Sequence, residues 1–260
     1  MVGRTLFTVL ALACVFQPDE VEKSTEETLS AEQFYQKGLS KLYGDWDYRE
    51  GKKAFLKAIA KDPKMAKAYA QLGWYTILEQ DRETAERYIV KAKMLEPQNA
   101  SWVLWHAWIC YFFRDYDRTE QYIDDALAID PRLSEAHYLK GIMYYQLEKT
   151  EESIHWLNLA AKDPGRPYAR GMSNFLQNKK AEALGNIREL EGKEINNKGW
   201  YLVVAYALLG EKDEALDYLE ESYRKNPVAP WFQFDPIVQP YLEDEARFQE
   251  LIEKIGRPDN

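Results

Sequence analysis

Cysteine is nearly absent from this 260-residue chain. Cys14 and Cys110 are the only two, which excludes a disulfide framework and a thiol-built zinc cluster. Histidine is as scarce: His106, His137 and His155 are the whole supply, and no His-x-x-x-His or Cys-x-x-Cys spacing occurs. There is no glycine-rich phosphate loop and no Gly-x-Ser-x-Gly elbow. The most apolar run, Leu6 to Phe16, is too short to span a bilayer as a helix. Basic charge is in deficit, with 34 Lys and Arg against 43 Asp and Glu. The net charge of −9 opposes a phosphate backbone, so nucleic acid is not an expected partner. His106 and Cys110 stand four residues apart, a helical spacing that suits a shared metal or a thiolate–base pair. With no further ligand nearby in sequence, they read as structural. No catalytic residue, metal ligand or cofactor is therefore expected.

What the chain has instead is a period. Pro63, Pro97 and Pro131 are each 34 residues apart, and each follows an Asp or Glu. Ahead of each proline stands a trio at helical steps of four and three: Gly51, Phe55 and Ala58; Ala85, Ile89 and Ala92; Thr119, Ile123 and Ala126. A second amphipathic helix precedes each trio. The break between the two carries Asp47, Asp81, Asp117 or Thr150, expected to cap the second helix, with capping-box spacing at Asp47–Glu50 and Asp117–Glu120. Gly38, Gly73, Ala107 and Gly141 share one offset on the first helices. A glycine inside a helix costs about 1 kcal/mol relative to alanine. Close approach of the paired helix recovers more than that, because burying one large apolar side chain is worth about 1.5–3 kcal/mol.

This 34-residue helical pair resembles the tetratricopeptide repeat. Tyr69, Leu72, Gly73, Ala85, Ala92 and Pro97 stand at the family's signature offsets. The first unit fits with an insertion near "YGDWDYRE", and the third departs at His106 and Ala107. The fourth carries Gly141, Tyr144, Ala160 and Pro164, a degenerate fifth follows, and the sixth has Gly210, Ala215, Leu219 and Pro227. The resemblance implies an all-α, right-handed superhelical solenoid of about six helix–turn–helix units over residues 31–228. Residues 229–260 resemble the terminal cap of arrays in bacterial adenylate-cyclase-like and winged-helix regulators, through Trp231, Asp235-Pro236, Arg247-Phe248 and Leu251. Only array and cap carry over, since the chain has no room for a cyclase or DNA-binding domain.

In such a solenoid the first helices line a concave wall. Ala70, Leu104 and Tyr138 form one column, Trp74, Trp108 and Ile142 the next, and Ile77, Tyr111 and Tyr145 a third. Trp74, Ile77, Leu104, Trp108, Tyr111, Tyr138 and Tyr145 are thus the expected binding groove for a protein or peptide, with acidic flanks favouring a basic partner. Two rival readings have the strip as ordinary interhelix packing, or covered by the tether or by the segment around Trp231, Phe232 and Phe234. The carboxylate-holding Lys and Asn of chaperone-binding repeats are replaced by Tyr35 and Leu39, so a C-terminal carboxylate is not the expected ligand.

The N-terminus reads separately. Arg4, the apolar run and Ala11-Leu12-Ala13 before Cys14 form a secretory leader over residues 1–13. It resembles a bacterial lipoprotein signal, with Cys14 as the candidate lipidated residue, and residues 14–30 read as an acidic tether. The expectation is export to the cell envelope, periplasmic or lipid-anchored, with membrane attachment through a lipidated N-terminus only; a cytoplasmic chain is the alternative. The expected role is a non-enzymatic interaction scaffold. A sensory or regulatory module acting with a separate signalling protein is the alternative.

Overall fold

The protein is described here from a computed structural model over residues 28–42, 47–192, 198–225 and 232–255. The leader, Cys14 and most of the tether lie outside these residues. The described residues fold into fourteen helices. Six pairs follow one another: α1 (Ala31–Ser40) with α2 (Tyr48–Lys61), α3 (Ala66–Thr76) with α4 (Arg82–Leu95), α5 (Ala100–Phe112) with α6 (Tyr116–Ile129), α7 (Ser134–Gln146) with α8 (Thr150–Ala160), α9 (Pro167–Leu176) with α10 (Lys180–Glu191), and α11 (Lys198–Leu209) with α12 (Lys212–Lys225). The short α13 (Val238–Leu242) and α14 (Ala246–Ile255) complete the chain. Successive pairs stack side by side, as the period requires.

The two helices of a pair differ in sequence because they occupy different layers. In α4, "RETAERYIVKAKML", only Ala85, Ile89 and Ala92 are buried, so this is an outer helix with one apolar stripe. In α5, "ASWVLWHAWICYF", nine of the thirteen residues are buried, which is the signature of a helix covered on several sides. One continuous apolar core joins Leu42 on the first pair to Leu251 on the last helix.

Each boundary has a local cause. Asp62, Glu96 and Asp130 close α2, α4 and α6 with φ of −136°, −133° and −130°. A following proline disfavours helical backbone at these positions, so the chain leaves the helix there. At the turn inside each pair from the second to the sixth sits one residue in the left-handed region: Gln80, Arg114, Glu148, Asn178 and Gly210, with φ from 54° to 74°. In four of them the next amide reaches back five residues, as from Asp115 N–H to Cys110 O at 3.0 Å and Lys149 N–H to Tyr144 O at 2.9 Å, which closes the first helix in a Schellman turn. Gly210, and less strongly Asn178, have the residue types this backbone favours. Left-handed backbone costs a non-glycine residue about 1–2 kcal/mol, partly offset by the extra unfolded-state freedom of glycine. Glu148→Gly is therefore expected to stabilise the fold by about 0.5–1 kcal/mol, read as a raised denaturation midpoint.

These turns also correct two expected caps. The N-cap of α6 is Asp115, whose carboxylate accepts from Arg118 N–H at 3.3 Å; Asp117 lies inside the first turn. The N-cap of α8 is Lys149, and Thr150 is already helical. In both cases the left-handed residue ends the turn earlier than composition suggests, so the cap falls directly after it. Asp47 and Asp81 do cap α2 and α4, accepting from Glu50 and Thr84 N–H. A reciprocal capping box forms at Ser30 and Gln33 instead.

The shared small-residue offset is a close helix contact. A Cβ on Gly73 would lie 3.1 Å from Ala85 O, and one on Gly141 would lie 2.8 Å from Leu157 Cγ and 3.1 Å from its backbone nitrogen. Leu157 is itself fully buried and has no room to yield. Overpacking of this kind costs about 1–3 kcal/mol, against about 1 kcal/mol gained in helix propensity. Gly141→Ala is expected to lower stability. Gly185→Ala, in α10 where an added Cβ meets nothing within 4 Å, is expected to raise it. Matching shifts of equal sign would contradict the close-contact explanation.

Candidate functional site

The inner wall is where the expected groove residues sit, and it is largely filled. Ile77, Tyr111 and Tyr138 are fully buried, Leu104 and Trp108 nearly so, while Trp74 and Tyr145 are half-buried. The expectation of one open strip is therefore corrected for five of the seven residues. The cause is the chain itself. Trp200, on α11, lies 5.5 Å from Trp108 and 6.1 Å from Tyr138, ring centre to ring centre. Its neighbour Tyr201 stacks on Tyr168 at 3.6 Å. The inner helix of the sixth pair thus crosses the wall to meet the third, fourth and fifth pairs.

The segment before α13 locks this closure. Asp235 is fully buried and accepts from Trp200 Nε1–H at 3.1 Å and from the Ile237 and Val238 amides at 2.8 and 3.0 Å. Burial pushes its carboxyl up to about 6, outweighing these hydrogen bonds and the charge of Arg114, which act to lower it. Arg114 donates to Gln239 at 2.8 Å, and the Tyr145 and Tyr241 hydroxyls share a hydrogen bond of 2.8 Å. Phe232 is fully buried and Phe234 half-buried; Trp231 lies outside the described residues. Helix α14 packs on the outer α12, where Arg247 bonds Glu220 and Asp217 at 2.9 and 2.6 Å.

What stays accessible is the other end of the wall. Trp74, Trp105 and Trp102 are half-buried and form a ladder, with ring centres 5.8 Å and 5.4 Å apart. The Trp102 indole N–H donates to Glu96 at 2.7 Å, fixing the outermost ring at the start of α5. Reading the wall by period alone missed Trp102 and Trp105. Both stand off the columns at 70, 74 and 77, and their signal in the sequence is the tryptophan density of α5 itself.

His106 and Cys110 do meet a third ligating group. Glu86, His106 and Cys110 offer atoms within 4.8 Å of one another. The surroundings oppose a cation. Arg118 holds both Glu86 oxygens, at 2.9 and 2.7 Å, and Arg82 adds a third bond at 2.8 Å. Lys93 Nζ stands 3.3 Å from His106 Nδ1, and the imidazole stacks on Tyr122 at 3.9 Å. Burial, helped by Lys93, lowers the imidazole to about 3. Burial also pushes the Cys110 thiol up to about 12, so it is not a nucleophile at neutral pH. The cluster ties the outer helices of the second and third pairs together by Arg–carboxylate bonds.

Fold and family agree. The tetratricopeptide-repeat family profile matches residues 107–167. Residues 107–167 thus carry the tetratricopeptide repeat, and the same stacking of helical pairs runs through the described residues on either side. Three similar solved structures extend the likeness in fold over most of the chain. A tetratricopeptide repeat protein from Parabacteroides merdae aligns with a TM-score of 0.58 at 13% identity, covering 91% of this chain and 88% of that one. The pilF protein of Pseudomonas aeruginosa gives 0.54 at 16%, covering 86% and 97%. PilW, described as a type IV pilus biogenesis factor, gives 0.53 at 16%, covering 85% and 98%. At these identities the likeness is one of fold. No curated protein sequence matches the chain. No helix among the described residues is long and apolar enough to cross a membrane.

Proposed function

We propose that this tetratricopeptide-repeat protein is a non-enzymatic scaffold that holds a protein or peptide partner on the unfilled end of its inner wall. The observation that carries the reading is the half-exposed ladder Trp74–Trp105–Trp102 at the end of a wall otherwise packed shut. Indole rings give large contact area at small entropic cost, which suits them as interface anchors. The groove as first expected survives at this end only through Trp74, against which the buried Trp108 packs edge-on at 6.5 Å between ring centres. Solved proteins of similar fold include PilW, a type IV pilus biogenesis factor. The leader-like N-terminus supports an envelope address, periplasmic or anchored through Cys14. N-terminal mass measurement of the mature chain tests that address separately.

The test of the scaffold reading is site-specific crosslinking. A photo-crosslinking residue at position 105 is expected to capture a defined partner. The same residue at Met94, which is 70% exposed on the outer helix α4, is not. Trp74→Ala with Trp105→Ala should keep the helical content and lose that partner. Equal capture from positions 94 and 105 would remove the ladder from the interface.

A further inference from the structure

Eight cation–ring contacts occur among the described residues, as where Lys67 stands 4.3 Å over Tyr35, Lys93 4.2 Å over Tyr122 and Lys140 4.6 Å over Trp156. None of the eight involves Trp102 or Trp105, the ladder's two outer rings. The partly exposed Trp102 indole instead adjoins negative charge, and Trp105 stands beside it. Glu96 is exposed, and both its hydrogen bonds, from Trp102 Nε1–H at 2.7 Å and Asn99 Nδ2 at 2.9 Å, fall on Oε2. Oε1 takes no hydrogen bond among the described residues. Beside it opens a hollow of about 640 Å³, lined by Glu96, Pro97, Asn99, Ser101, Ile129 and Asp130. An indole whose N–H donates to a carboxylate carries more electron density on its face. A cation over that face is attracted by the ring, and tryptophan binds cations best among the aromatics.

We propose that this ledge takes an arginine- or lysine-bearing segment of a partner protein, with the cationic side chain on the Trp102 and Trp105 rings and its charge against Glu96. Asp130 and the net charge of −9 extend the same complementarity around the contact. The proposal rests on the scaffold reading and adds the chemistry of the partner. A basic segment meets partly exposed indoles and an open carboxylate oxygen; an acidic one meets Glu96 and Asp130 as like charges.

The experiment titrates the full chain with a capped ten-residue peptide carrying arginine at alternate positions, and with its glutamine and glutamate counterparts, by calorimetry and indole fluorescence. The arginine peptide is expected to bind at least about fivefold more tightly than the glutamine peptide, within the range a partly exposed cation–ring contact supplies. Affinity should fall with added salt. Trp102→Phe, which keeps a ring, and Glu96→Gln should each weaken binding about threefold or more, while Trp156→Phe should leave it unchanged. Equal binding of arginine and glutamine peptides would overturn the basic preference. No arginine-peptide binding, with partner capture still dependent on Trp74 and Trp105, would also sink the proposal but leave the scaffold standing. Loss of both would end both readings. Binding that appears only after Arg4 and Lys23 are changed to Gln would assign the ledge to the chain's own N-terminal segment and overturn a partner there.

Discussion

Trp200→Ala is expected to destabilise the fold by about 3–5 kcal/mol, the usual range for removing a large buried aromatic side chain. Trp200 is the point where three contacts converge: the Trp108 ring, the Tyr138 ring and the buried carboxylate of Asp235. Removing it takes one donor from a fully buried acceptor and leaves a cavity between the third, fourth and sixth pairs. The loss should be felt beyond α11, because Phe232, Ile237, Val238 and Leu242 are buried against the structure it completes. Limited proteolysis should therefore cut the C-terminal segment before the first four pairs unfold. Trp200→Phe keeps a ring but loses the N–H, so it should cost less, about 1–3 kcal/mol. A Trp200→Ala chain with an unchanged denaturation midpoint would mean that the wall is not closed by α11.

Acid should unfold this protein through His106. Burial and Lys93 hold its folded-state pKa at about 3, below the ordinary 6.5, so the fold retains the neutral ring. The direction follows from linkage. The contribution is complete above pH 6.5 and is lost as pH falls through that value towards 3. At one unit per 1.36 kcal/mol, the loss reaches up to roughly 5 kcal/mol at the acid end. Asp235 works in the opposite sense. Its folded value is raised from 3.8 to about 6, so its contribution is complete below 3.8 and is lost as pH rises through 6. That is worth up to roughly 3 kcal/mol. Between pH 7 and 5 the two largely offset; below 4 Asp235 has nothing more to add and His106 dominates. Denaturant midpoints at pH 7.5, 5 and 3.5 test this. His106→Phe, which preserves the stack on Tyr122, should gain on the wild type as pH falls, and Asp235→Asn should lose ground over the same range. Parallel profiles for all three chains would refute both assignments.

The sequence carried the repeat because its causes are local. Pro63, Pro97 and Pro131 end helices by removing helical backbone just before them, and Gly73 and Gly141 mark helix contacts that admit no larger residue. Most of the left-handed turns are hidden because glycine fills only one of them and asparagine, at Asn178, only another; Gln80, Arg114 and Glu148 adopt the same backbone without advertising it. That is also why the cap of α6 was read two residues late. The closed wall was hidden for a different reason. Whether Trp200 reaches Trp108 depends on rotations accumulated from pair to pair, and no single period records their sum. The same gap explains the site. Trp74 keeps its half-exposed place because it lies before the closure, whereas Trp108, one period later, lies under it. Trp102 and Trp105 fall outside the column pattern and emerge only when the neighbouring pairs are in place.

The chain's own C-terminal segment lies across the inner wall, and the tryptophan ladder is the end it leaves for docking in the proposed scaffold. Thiol crosslinking with a short bis-maleimide reads this most directly at the exposed contact between Arg114 and Gln239, whose side chains meet tip to tip. The Arg114→Cys, Gln239→Cys chain should be bridged within one molecule, because the reagent spans the gap that two side chains of this length leave, which is wider than a direct disulfide tolerates. Moving the first cysteine one period back, to Gln80 with Gln239→Cys, should give no such bridge. Equal bridging at both positions, or bridging at neither, would contradict a wall closed by its own chain.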